Sequence, residues 1–143
     1  MTKREIAIAN FNSGMNCAQA VALSFLQESG MSEDLLKKAS IGFGGGLGRQ
    51  RLVCGAVSGM CMVLSLVLSD GKDKLAIYSI IQEACAQFKK ECGSLICAEL
   101  LEGVTADNSP VPEKRTASYY KKRPCGEICG IAAEIAEKFL NKK

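Results

Sequence analysis

The chain has 143 residues, of which 48% are hydrophobic, and a formal net charge of +3. This length is typical of one domain with a real core, and we expect a single all-helical, cysteine-rich domain over residues 1–143. The absence of histidine excludes a histidine general base, a Ser-His-Asp or Cys-His nucleophile and a histidine-ligated haem. The small net charge gives no reason to expect a nucleic-acid partner.

Helix-start signals divide the first half of the chain. Thr2 with Glu5 forms a capping box that predicts the first helix. A second helix is predicted over residues 16–28, and Ser32 is expected to cap a short third helix. After a glycine-rich loop, an uncharged central helix is predicted at roughly residues 52–69. Its many glycine, serine and cysteine residues favour a buried helix over a membrane span, although its length is near the minimum for spanning.

Helical patterns also dominate the second half. An amphipathic helix is predicted over residues 73–91, a short one over 96–101 and a last one over 126–140. Residues 103–124 contain all three prolines and predict the longest loop, whose basic and aromatic end at residues 119–123 is expected to be solvated. No run of alternating residues predicts a strand. The sequence therefore predicts an all-α, bundle-like fold of about five to seven helices.

Eight cysteines are many for a chain of this size. The first residues lack the apolar stretch of a signal peptide, so we expect a cytoplasmic location. Cysteines there bind metal or carry out redox chemistry more often than they form structural disulfides, whereas in a secreted protein the same count would indicate a disulfide framework.

Four of the cysteines share one feature, because each lies near the start of a predicted helix, just after a turn, a glycine or a proline: Cys17, Cys54, Cys97 and Cys125. Amide N–H groups at a helix start favour a thiolate, and Cys54 is expected to be partly ionised for this reason. We predict that the four converge in one site. The alternative is that each of these cysteines only packs in the core as a small hydrophobic residue.

The other four cysteines carry weaker signals. Cys61 and Cys85 lie in apolar helical surroundings, which favours core packing. Cys92 could reach towards Cys97, and its role stays open. Cys129 could be a resolving thiol, an alternative ligand or a packing residue. No Cys-x-x-Cys is present, which excludes the local thioredoxin motif and the zinc-ribbon spacing.

The glycine-rich loop over residues 42–48 contains five glycines. It matches neither a phosphate-binding P-loop nor a dinucleotide-binding turn, because no strand precedes it and the P-loop lysine is missing. Two roles remain for this loop. Its backbone could approach a cluster or cofactor closely, or it could allow one helix end to pack tightly against another. The neighbouring Arg51, with Arg49, could favour a thiolate at Cys54, hold an anion or simply be solvated. The candidate cofactor-binding residues are Gly44, Gly45, Gly46, Arg49 and Gly55.

Residues 54–59, Cys-Gly-Ala-Val-Ser-Gly, resemble the core motif of the C-GCAxxG-C-C family of putative redox-active proteins. Residues 16–20, 42–49, 93–101 and 123–125 resemble its other segments. The resemblance implies an all-helical fold and a cysteine-based redox or metal role. The family also resembles the non-haem part of split-Soret cytochromes, which carries an iron–sulfur site. This chain lacks the haem motifs and has extra cysteines at 61, 85, 92 and 129, which leaves the ligand set open.

The leading functional hypothesis assigns both the catalytic and the metal-binding roles to Cys17, Cys54, Cys97 and Cys125. They would bind an iron–sulfur cluster, for which four thiolates are the usual complement, or cycle between dithiol and disulfide. Alternatives are a zinc-stabilised structural or interaction module and a small-molecule binding protein that uses the glycine-rich loop. The sequence does not decide whether the chain is an enzyme or what its redox partner is. Its weakly charged, apolar helices are compatible with a homodimer.

Overall fold

The computed structural model describes residues 1–101, 107–122 and 124–142, without the side chains of Lys121 and Lys122. These residues form an all-α fold with no β-strand, as the sequence predicts. A 3-10 turn, Ile41–Phe43, lies between the fourth and fifth helices. The helices are α1 (Lys3–Asn12), α2 (Cys17–Leu23), α3 (Leu26–Ser29), α4 (Glu33–Ser40), α5 (Gly44–Leu47), α6 (Gly55–Leu68), α7 (Lys74–Cys92), α8 (Cys97–Leu100), α9 (Ala117–Lys122) and α10 (Cys125–Leu140).

The helix count exceeds the predicted range because α3, α5 and α8 are four-residue turns. The longer helices begin where the sequence predicts. Thr2 and Glu5 form both bonds of the capping box at α1, and the Ser32 side chain accepts a hydrogen bond from the third residue of α4. These bonds satisfy amide donors that a helix start otherwise leaves unpaired.

The predicted second helix over residues 16–28 is wrong in one respect, because it breaks into α2 and α3. The Ser24 hydroxyl donates a hydrogen bond to the carbonyl oxygen of Val21 at 2.6 Å, and this bond competes with helical pairing at the break. The break also places the Phe25 ring in the core, where only 1% of it is exposed.

Helix α6 is the buried centre of the fold, as predicted. It contains no charged residue, none of its residues is exposed, and it packs against α2, α7 and α10. Gly59 allows the close approach of α2, since a Cβ there would lie 2.7 Å from the carbonyl oxygen of Ala18. Across the described part of the chain, no helix combines the length and the apolar character needed to cross a membrane.

The predicted loop over residues 103–124 contains helix α9, so this prediction is wrong in part. Thr116 caps α9 by accepting a hydrogen bond from the Tyr119 amide at 3.2 Å. The rings of Tyr119 and Tyr120 pack on Phe11 of α1, with ring centroids 6.3 and 5.9 Å from the Phe11 centroid. The prediction that this end of the loop is solvated is therefore wrong for these two rings. Residues 103–106 and 123 of the predicted loop lie outside the described residues.

Candidate redox site

Each of the four cysteines singled out by the sequence lies at the start of a helix, as predicted. Cys17, Cys97 and Cys125 are the first residues of α2, α8 and α10. Cys54 is the N-cap residue of α6, directly before its first turn. The four helix starts come from distant parts of the chain, so only the tertiary fold brings them to one site.

The start of α2 is held by Asn16, which precedes Cys17. Asn16 and Gln19 form a capping box, and the Asn16 side-chain amide also donates to the carbonyl oxygen of Ile41 at 2.9 Å. One side chain therefore begins the helix and ties it to the segment that leads into the glycine-rich loop.

A short antiparallel bridge fixes Cys54 relative to Cys97. The Cys97 amide donates to the carbonyl oxygen of Leu52 at 2.6 Å, and the Cys54 amide donates to that of Leu95 at 2.8 Å. Val53 and Ile96 form the bridge pair between these two bonds. Backbone pairing thus sets the separation of the two cysteines, without any contribution from their side chains.

The glycine-rich loop passes directly beside this bridge. Gly46 has a φ of +73°, and a Cβ there would lie 2.6 Å from the Leu52 amide nitrogen and 2.7 Å from the Cys97 Cβ. Only glycine fits this position, because both the left-handed backbone and the lack of space exclude a side chain. Gly55 is similarly enclosed, since its Cβ would lie 2.9 Å from the carbonyl oxygen of Phe43.

Three residues with side chains also adopt left-handed backbone in and after this loop. Leu47, Arg49 and Arg51 have φ values of +69°, +64° and +63°. Each such residue is disfavoured by roughly 1–2 kcal/mol relative to the right-handed region. Backbone hydrogen bonds offset part of this cost; the amides of Arg49 and Arg51 donate to carbonyl oxygens of the glycine segment at 3.1 Å. Strain of this kind is concentrated at functional sites in proteins.

A cavity of about 370 Å³ lies where the helix starts and the loop meet. All four cysteines line it, and so do the five residues to which the sequence assigns cofactor binding: Cys17, Cys54, Cys97 and Cys125, and Gly44, Gly45, Gly46, Arg49 and Gly55. The structure therefore brings together every residue of the predicted site. Whether these residues bind a cofactor or metal stays a prediction.

The prediction of a thiolate at Cys54 is wrong. Only 5% of Cys54 is exposed, and burial raises the pKa of its thiol to about 12. Backbone N–H groups of Ala56 and Val57, at the start of α6, lower this pKa as expected for a helix start. Their effect is smaller than that of burial, because the ionised form loses most of its hydration inside the protein.

Cys17 is protonated for a related reason. A hydrogen bond with the Cys125 thiol lowers the pKa of Cys17, but a hydrogen bond with Cys129 and burial outweigh it and raise the pKa well above the ordinary value. Nearby negative charge on Cys129 or Cys54 would raise it further. The thiols of α2 and α10 are thus in direct contact, and their titration is linked.

Cys129 belongs to this thiol group, although the sequence left its role open. It is fully buried, and its Sγ lies 3.8 Å from the carbonyl oxygen of Cys17. The hydrogen bond with the Cys17 thiol lowers the pKa of Cys129. Burial and negative charge on Cys125 and Cys54 raise this pKa by more, so the pKa of Cys129 is raised overall. Its position one helical turn after Cys125 was the only signal for this role in the sequence.

Arg49 and Arg51 connect the glycine-rich loop to the segment that follows the undescribed residues 102–106. Arg49 donates to the carbonyl oxygen of Val111 at 2.5 Å, and Arg51 Nε donates to that of Asp107 at 2.9 Å. Arg51 also places a guanidinium nitrogen 3.7 Å from the Cys97 sulfur. Cys97, and not Cys54, is therefore the cysteine that this arginine contacts.

A third arginine, Arg115, lines the cavity and was not identified from the sequence. Its guanidinium donates to the carbonyl oxygens of Phe11 and Met15, each at 3.1 Å, and lies 4.5 Å from the centroid of the Phe11 ring. It fixes the end of α1 against the segment before α9. A lone arginine in an aperiodic segment gives no sequence signal for such a role.

The thiols do not converge on a single point. The eight cysteines are thiols and not disulfides. Within residues 1–101, 107–122 and 124–142, no group of three or more Cys, Asp or Glu side chains is placed to hold one metal ion. The motif cysteines surround a space instead.

The comparison with known protein families agrees with this geometry. The helical fold and the four cysteines around one cavity define the class as an all-α cysteine-rich protein. A family model described as putative redox-active protein (C_GCAxxG_C_C) matches residues 15–139. The chain belongs to this family, and the resemblance noted in the sequence is confirmed. Neither the curated proteins nor the solved structures gave a significant match.

Proposed function

We propose that this chain is a redox protein in which Cys17, Cys54, Cys97 and Cys125 bind one iron–sulfur cluster. The observation that carries the proposal is that these four thiols, from four separate helix starts, line a single cavity. Core packing alone gives no reason for every cysteine of the family motif to border the same space.

The donor set fits such a cluster. Four cysteine thiolates are its usual complement, and each binds a different position on the cluster, so they must surround a space. A single zinc ion requires four donors at about 2 Å from one point, and the described side chains contain no such group. When bound, an iron–sulfur cluster supplies one-electron transfer at a potential set by its surroundings.

The residues around the cavity have separate roles in this proposal. Gly46 allows the loop backbone to pass against Cys97, and Arg51 places positive charge beside the Cys97 sulfur. Cys17 and Cys54 hold their protons at neutral pH, and they must release them before they can act as ligands. Cys54 and Cys97 are buried and Cys17 and Cys125 are partly exposed, so the protein shields part of the site from solvent.

A second candidate function, thiol–disulfide exchange, is favoured by a different observation. The thiols of Cys17 and Cys125 are hydrogen-bonded to each other, so these two sulfurs are neighbours. A disulfide between them would join the starts of α2 and α10. The high pKa of Cys17 argues against rapid exchange, because the thiolate is the attacking species.

Anaerobic purification followed by iron and acid-labile sulfide analysis tests the proposal. We expect iron and sulfide in the wild-type protein and their loss in the Cys17→Ser, Cys54→Ser, Cys97→Ser and Cys125→Ser variants. Cys92→Ser is the matched control, because Cys92 does not line the cavity. Wild-type protein without iron and sulfide would overturn the cluster proposal. A Cys17–Cys125 disulfide in that protein would then support the second candidate.

A further inference from the structure

Two cysteines outside the cavity form a pair of their own. Cys61 of α6 and Cys85 of α7 have their Sγ atoms 3.9 Å apart, and both side chains are partly exposed. Neither lines the cavity, and neither corresponds to one of the four separated cysteines of the family motif. They are 24 residues apart in the chain, so their contact is produced by the packing of two helices.

The geometry allows the two sulfurs to join. A disulfide bond is about 2.05 Å long, so the sulfurs must approach by about 1.9 Å. Side-chain rotation moves a cysteine sulfur over distances of this order. Helix α7 is anchored beside the pair by Ala84 and Phe88, which are both fully buried in the core.

The two thiols differ in their surroundings. A hydrogen bond from Cys61 lowers the pKa of Cys85 to about 7, although burial opposes this shift. The same hydrogen bond, followed by burial, raises the pKa of Cys61. Cys85 is thus suited to attack a disulfide first. Cys61 donates a hydrogen bond to Cys85 and reacts second.

We propose that Cys61 and Cys85 form a second redox-active site, a dithiol that reduces low-molecular-weight disulfides and becomes a disulfide between α6 and α7. Small disulfides are the expected substrates because both sulfurs are only partly exposed between two helices, where a folded protein substrate has poor access. The site goes beyond the proposed cluster function, since it uses neither the cavity nor the cysteines that line it.

The proposed reaction has two exchange steps. The Cys85 thiolate attacks one sulfur of the small disulfide, whose S–S bond breaks as one small thiolate leaves and a mixed disulfide forms on Cys85. The Cys61 thiol then gives its proton to a departing thiolate, attacks the Cys85 sulfur and displaces the second small thiol. In total the protein pair loses two electrons and the one proton of Cys61, because Cys85 has already released its proton to solvent. The small disulfide gains the two electrons and leaves as one thiol and one thiolate, and the thiolate takes up a proton from solvent.

Disulfide mapping of the full chain tests this proposal. Reduced protein is treated anaerobically with oxidised glutathione, its remaining thiols are blocked with N-ethylmaleimide, and it is digested with trypsin without reduction. Cys85 is the only cysteine of its tryptic peptide, residues 75–89, whereas the peptide over residues 52–72 holds both Cys54 and Cys61. We expect these two peptides to be linked in the wild-type protein.

Two variants assign the linked cysteine. The link should persist in Cys54→Ser and disappear in Cys61→Ser, where Cys85 should instead carry one glutathione. A wild-type protein without the link would overturn the proposal, and this result is decisive even if a variant fails to fold. The iron content measured for the cavity should be the same in Cys61→Ser as in the wild type. A loss of iron in that variant would contradict the independence of the second site.

Discussion

Substitution of Gly46 by alanine should destabilise the fold more than the same substitution at Gly48 in the same loop. Both glycines have left-handed backbone, with φ of +73° and +59°, so alanine at either position costs roughly 1–2 kcal/mol. At Gly46 the new Cβ would also lie 2.6–2.8 Å from atoms of Leu52, Cys97 and Arg51. Overpacking of this kind adds roughly 1–3 kcal/mol.

Gly48 provides the matched control, because the nearest atom to its Cβ position is 4.0 Å away. We therefore expect Gly48→Ala to lower the free energy of unfolding by about 1–2 kcal/mol and Gly46→Ala to lower it by about 2–5 kcal/mol. Urea titration of the reduced, metal-free proteins, followed by circular dichroism at 222 nm, measures both values. Equal losses in the two variants would refute the reasoning, since only the contacts with Leu52, Cys97 and Arg51 distinguish them.

Three further predictions concern helix packing, the partly buried Arg115 and thiol reactivity. Gly59→Ala places a Cβ 2.7 Å from the carbonyl oxygen of Ala18 and should lower the free energy of unfolding by about 1–3 kcal/mol; an unchanged urea midpoint would contradict this. Arg115→Lys cannot keep both hydrogen bonds to backbone carbonyls and should lose about 1–3 kcal/mol in the same titration, so wild-type stability in this variant would argue against the assigned role. The hydrogen bond from Cys61 lowers the pKa of Cys85 to about 7. The rate at which iodoacetamide modifies Cys85 should therefore rise through pH 7 and level off above it. Burial raises the pKa of Cys54 to about 12, so Cys54 should react at least about 100-fold more slowly than Cys85 at pH 7.5. Peptide mass spectrometry measures both rates, and similar rates would contradict the difference in pKa between the two thiols.

The helix starts and the four-cysteine site could be predicted because their signals are local. A turn, a glycine or a proline precedes each of the four cysteines, and such residues also mark where helices begin. The contact between Cys17 and Cys125, however, spans most of the chain. The sequence indicated that these residues share a chemical role, and the family resemblance grouped them, but neither gave their distances.

The ionisation of Cys54 shows where local reasoning fails. The N-terminal amides of α6 act on the thiol as expected, yet burial by distant elements decides the sign of the pKa shift. Desolvation depends on what covers a group, and one sequence does not contain that information directly.

The Cys61–Cys85 pair was missed for a similar reason. Each residue alone has the pattern of core packing, and both do pack partly against the core. Their sulfurs meet because α6 and α7 face each other in one rotational register. Hydrophobic periodicity identifies the packed side of a helix but does not give the residue that it faces on its neighbour.

Anomalous diffraction at the iron edge, from crystals of protein purified anaerobically, tests the central claim most directly. The proposal predicts an iron signal inside the cavity, with bonds from iron to the sulfurs of Cys17, Cys54, Cys97 and Cys125. Absence of iron from the cavity, or iron bound at other cysteines such as Cys61 and Cys85, would contradict it.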